Sequence, residues 1–64
     1  MKEAVTFCCQ INHWTGDAYL CDDDDSEFWI PKSEIIAKEE ERINGVVYHD
    51  ITIPEWLAIE KGII

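Results

Sequence analysis

The chain has 64 residues and a formal net charge of -9, from fourteen acidic side chains against five basic ones. Its hydrophobic share of 47% argues against a disordered acidic tail, and no stretch approaches the roughly 18 apolar residues of a membrane span. The length fits one small domain over residues 1–64 and argues against a walled catalytic cleft, while the charge opposes the Lys/Arg-driven binding of nucleic acid.

Met1-Lys2-Glu3 opens no apolar run, so no signal peptide is expected. The odd count of cysteines, Cys8, Cys9 and Cys21, argues against a disulfide framework. Together these point to a cytoplasmic protein with free thiols.

Val5, Phe7, Cys9 and Ile11 alternate with Thr6, Cys8, Gln10 and Asn12. This period of two predicts a first strand over roughly residues 3–13, with Cys8 and Cys9 on opposite faces. Gly16-Asp17 is turn chemistry, and Ala18 to Cys21 reads as a short second strand. The run Asp22-Asp23-Asp24-Asp25-Ser26 is a solvated connection, since strands disfavour Asp and like charges repel. Glu27 to Ile30 is a third strand, stopped by Pro31.

The composition of Ser33 to Arg42 favours helix, with Ser33 as a cap. However, Asn44-Gly45 stands before Val46 to Ile51 and is the strongest short hairpin signal. A hairpin needs a strand on each side, so residues 35–43 are placed in a strand. Thr52 and Glu55 have capping-box spacing, and Pro54 fits a first helical turn. Trp56, Leu57 and Ile59 would give the helix an apolar side, with Trp56 in the core and Gly62 as its stop. The expected fold is mainly β with one helix. It is a small five-stranded antiparallel, SH3-like, partly closed barrel with a short C-terminal helix.

Phe28-Trp29-Ile30-Pro31-Lys32-Ser33-Glu34-Ile35 and Ile53-Pro54-Glu55-Trp56-Leu57-Ala58-Ile59-Glu60-Lys61-Gly62-Ile63 carry a resemblance. The pair is similar to a group of small phage, prophage and bacterial proteins with a Trp-Ile-Pro-Lys-Ser-x-Ile stretch followed by Trp-Leu-Ala-x-x-Lys-Gly. The match covers roughly residues 17–64. The resemblance implies a phage or mobile-element setting and a compact β-rich module, with no defined activity.

No constellation marks catalysis or a cofactor, so neither is expected. Counted from Asp22, the sixth and twelfth positions of an EF-hand loop would be Glu27 and Ser33, which fails the Gly and Glu requirement. His13, Cys8 and Cys21 have no zinc-site spacing. Phe28 and Trp29 are adjacent, so one faces the core and the other faces out.

The residues expected to meet a partner are Asp22, Asp23, Asp24, Asp25, Glu39, Glu40 and Glu41, with Trp14 and Trp29 as aromatic anchors unless the core needs both rings. The favoured reading is a protein-binding module that inhibits or modulates a basic or nucleic-acid-binding host protein, with carboxylates standing in for phosphates. The alternatives are single-strand binding through stacked bases, and assembly into a homo-oligomer through an edge strand.

Overall fold

The computed structural model describes residues 3–64. The leader expectation rests partly on Met1 and Lys2, which lie outside the described residues. Five strands form one antiparallel sheet: β1 (Ala4–Trp14), β2 (Ala18–Asp22), β3 (Glu27–Pro31), β4 (Ala37–Ile43) and β5 (Val46–Pro54). The strand order is β3-β2-β1-β5-β4. A 3-10 turn, Lys32–Glu34, joins β3 to β4, and helix α1 (Glu55–Glu60) follows β5 directly.

β1 is shared between two ladders. Its N-terminal part pairs with β5, from Ala4↔Pro54 to Cys9↔His49. Its C-terminal part pairs with β2, from Gln10↔Asp22 to Trp14↔Tyr19. The register slips between Ile11 and His13, so Asn12 is a bulge residue. The two halves bend towards each other over a common inner face. Cys9, Cys21, Phe28, Ile30, Ile51, Ile53, Leu57 and Ala58 fill it, and the Phe7 and Phe28 rings meet at 5.7 Å.

The link from β3 to β4 enforces the curl. A flat sheet would hold its two edge strands roughly 19 Å apart, four strand spacings. Residues 32–36 must cross that gap although three of them sit in a 3-10 turn, which advances only about 2 Å per residue. Accordingly Lys32, just after β3, and Lys38, on β4, both reach the Tyr19 ring, at 4.7 and 5.5 Å. The curl stops short of closure. β4 pairs with β5 and β3 with β2, but no ladder joins β3 to β4. Pro31 ends β3 without an amide donor. The antiparallel five-stranded sheet and its C-terminal helix are as expected, but the sheet remains open and does not close into a barrel.

Several local expectations are corrected. β4 begins at Ala37, not at residue 35, and the 3-10 turn with Pro31 at its N-cap position precedes it. Thr52 does not cap the helix. Ile51 and Ile53 both face the core, so the period of two carries β5 through Thr52 to Pro54. Thr52 Oγ1 instead shares a 2.8 Å hydrogen bond with Thr6 Oγ1, and Pro54 takes the helix N-cap position. Trp56 is not core but 51% exposed, and Ile59 is exposed too. A six-residue helix turns inward only the adjacent Leu57 and Ala58, and the residues flanking them rotate outward.

Two turns are as read. Asn44 and Gly45 have φ of 52° and 81°, the left-handed pair of a two-residue hairpin turn between Ile43 and Val46. Gly62 has φ of 77°, and the amides of Gly62 and Ile63 donate to the carbonyls of Ile59 and Ala58, the Schellman pattern. A Cβ at Gly62 or at Gly16 would meet nothing within 4 Å, so only backbone conformation separates the two sites. Gly62→Ala is therefore expected to cost about 1 kcal/mol in urea denaturation, and Gly16→Ala close to nothing. Equal costs would contradict this account of the helix stop.

Candidate acidic interaction face

The period of two sends alternate residues of each strand away from the core. On the outer face, Cys8 lies opposite Asp50, and Asp50 lies opposite Glu39. Gln10 lies opposite Asp22, which lies opposite Glu27. Beyond them, His13 lies opposite Leu20, which lies opposite Trp29. The inner residues Phe7, Cys9 and Ile11 alternate with these along β1.

The two acidic stretches of the sequence meet on this face. Asp24 comes from the β2–β3 turn, Glu41 from β4 and Asp50 from β5, and all three raise the pKa of the Cys8 thiol. Partial desolvation of this exposed thiol is the first cause of that rise, followed by the neighbouring carboxylates of Asp50 and Glu41. The ligand atoms of Cys8, Glu41 and Asp50 lie within 4.8 Å of one another. Such a group could hold a cation, although nearby exposed acids are common without one.

The aspartate run is more than a solvated connection. Asp24 has φ of 79°. The Asp24 amide donates to Asp22 Oδ1 at 2.8 Å, and the amides of Asp25 and Ser26 donate to Asp23 Oδ1 at 3.1 and 3.0 Å. Asp22 and Asp23 thus build the turn, leaving Asp24 and Asp25 to project from it. On the other side, Asn12 Nδ2 donates to Asp22 Oδ2 at 3.1 Å and to Glu27 Oε2 at 2.8 Å.

Not every expected residue joins the face. Glu40 pairs with His49 and lies on the opposite side of β4 from Glu39 and Glu41. Trp29 is 40% exposed, its ring 6.2 Å from that of His13. Trp14 is 64% exposed at the end of β1, so neither ring is core filler. Phe28 faces the core and Trp29 faces out, as adjacent strand positions require. His13, Cys8 and Cys21 do not converge, because Cys21 is buried in the core and Cys8 is exposed. The neighbouring Cys21 thiol first, then burial, raises the Cys9 pKa strongly, while the Cys21 thiol donates to the Tyr19 carbonyl at 3.9 Å.

Sequence reading missed Cys8, Asp50, Asn12 and Glu27 as members of the face. The alternation of β1 and β5 was the signal for Cys8 and Asp50, and nothing in the sequence marked the bulge at Asn12. Comparison with protein-family models, with curated proteins and with solved structures finds no match. Among the described residues no helix is long and apolar enough to cross a membrane.

Two measurements follow from these surroundings. Cys8 is expected to react with iodoacetamide more slowly than free cysteine at pH 8, and Asp50→Asn to speed it, because the thiolate is the nucleophile. A wild-type rate equal to that of free cysteine would refute the carboxylate effect.

His49 Nδ1 is buried without a hydrogen-bond partner. Burial first, then Lys38, lowers the imidazole pKa below its ordinary 6.5, with Glu40 opposing. The unfolded chain then binds the proton more readily. Stability from this group is present above 6.5 and is lost as pH falls through that value towards the folded pKa. The destabilisation between pH 7 and pH 5 is therefore expected to be smaller in His49→Gln than in the wild type, measured by urea denaturation at each pH.

Proposed function

We propose that the chain is a small acidic protein-binding module that inhibits or modulates a basic partner protein. The observation that carries this reading is the gathering of Glu41 and Asp50 within 4.8 Å of Cys8, with Glu39, Asp22 and Glu27 on the same face and Asp24 adding a smaller field from the β2–β3 turn. Two of the described cations, Lys32 and Lys38, are drawn instead to the Tyr19 ring. These two cations thus leave the carboxylates of the outer face unneutralised. A face of one sign steers a partner of the other sign and speeds the encounter. On the sequence's resemblance to phage and prophage proteins we take that partner to be a host protein, and carboxylates on a β scaffold can occupy a site made for phosphates.

Exposed Trp14 and Trp29 could in principle stack bases. The carboxylates of Glu27 and Asp22 beside Trp29 would repel the accompanying phosphates. Protein binding is favoured for that reason.

Capture from host extract at low and at high salt tests the reading. Basic proteins are expected at low salt and are lost at high salt. The quadruple variant Asp24→Asn, Glu39→Gln, Glu41→Gln, Asp50→Asn is expected to lose them at low salt too. Recovery of no basic protein at low salt, or equal recovery by the variant, would refute it.

A further inference from the structure

We propose that the outer face of the β2–β3 ladder is a seat for an arginine side chain of the basic partner, its guanidinium lying on Trp29 and bonded to Glu27 and Asp22. This rests on the binding-module reading and names what part of that face grips.

The seat is a grid of two rows. One row holds Gln10, Asp22 and Glu27, and the next holds His13, Leu20 and Trp29. Glu27 and Trp29 are alternate residues of one strand, so they stand side by side roughly 7 Å apart. The Trp29 ring is 40% exposed, and His13 braces it at an interplanar angle of 84°. Leu20 is half-buried between them and offers an apolar strip for an aliphatic stem.

The bulge completes the seat. Asn12, displaced from the ladder register, bonds Asp22 and Glu27 through the same nitrogen. Two oxygens that accept from one nitrogen lie at most roughly 6 Å apart. The amide holds both carboxylates in place but cancels neither charge. Its nitrogen also lies between the two accepting oxygens, where a metal ion would have to sit, so the pair does not suit a cation of that kind. A guanidinium approaches from the solvent side with five donors in a plane. It is weakly hydrated, stacks on aromatic faces and matches carboxylates. An ammonium lacks the planar face, which makes arginine the fitting occupant rather than lysine.

The test uses the whole chain and three acetylated, amidated hexapeptides of one sequence, carrying two arginines, two lysines or two citrullines. Affinity is measured by titration calorimetry at low salt, and contact with the seat is read from the NMR shift of the Trp29 indole N–H. The arginine peptide is expected to move that signal and to bind at least about fivefold tighter than the lysine peptide, with citrulline weakest. Trp29→Ala and Glu27→Gln are each expected to lower arginine affinity by about three- to thirtyfold and to abolish the preference over lysine. Trp29→Phe should keep part of the preference, which separates a lost aromatic face from a lost fold.

Equal binding of arginine and lysine peptides with the Trp29 signal unmoved would overturn the seat and leave the acidic-face reading standing. Binding of neither peptide would overturn both. Oligodeoxythymidylate moving the indole signal in place of the peptides would also overturn the proposal.

Discussion

One strand serving two ladders is the constraint on which the rest of this molecule depends. β1 gives its first half to β5 and its second half to β2, so the two hairpins are hydrogen-bonded into one sheet only through it. The short link from β3 to β4 then forbids a flat sheet. Together they fold the inner face over Phe7, Phe28, Ile30, Ile51 and Ile53, and Leu57 and Ala58 close the core. In so small a domain each of these side chains is a large share of the apolar surface that offsets ordering.

The same arrangement distributes the charges. Rows of side chains run across the sheet, so residues far apart in sequence become neighbours on the outer face. Glu41 and Asp50 therefore reach Cys8 from β4 and β5, and Asp24 adds its field from the β2–β3 turn. Lys38, opposite Ile51, is turned from that face by its register, and the curl brings it and Lys32 to Tyr19. Gathering like charges costs stability through repulsion, and a rigid sheet is what keeps them gathered.

Much of the fold was legible in the sequence because its signals are local. The alternation along β1, the stop at Pro31 and the Asn44-Gly45 turn each depend on a few adjacent residues. The Asn-Gly turn also decided correctly between helix and strand for the segment before it. The helix start was misread because Thr52 and Glu55 have capping-box spacing by chance, while the core's demand for Ile51 and Ile53 extended the strand. Trp56 was misplaced because hydrophobicity says nothing about which side of a one-and-a-half-turn helix meets the sheet. The acidic face was legible only in part. Composition revealed the two charged runs, but their convergence depends on strand order, and the splitting of Glu40 from Glu39 and Glu41 depends on register.

Cys8 sits at the centre of the gathered charge and is the one exposed thiol, so it reports the local field directly. The decisive measurement is its modification rate by two methanethiosulfonate reagents, one bearing a trimethylammonium group and the other a sulfonate. The account predicts that the cationic reagent outpaces the anionic one by on the order of tenfold beyond their ratio on free cysteine at low salt, with the excess vanishing in 1 M salt. A low-salt ratio equal to that on free cysteine would contradict it.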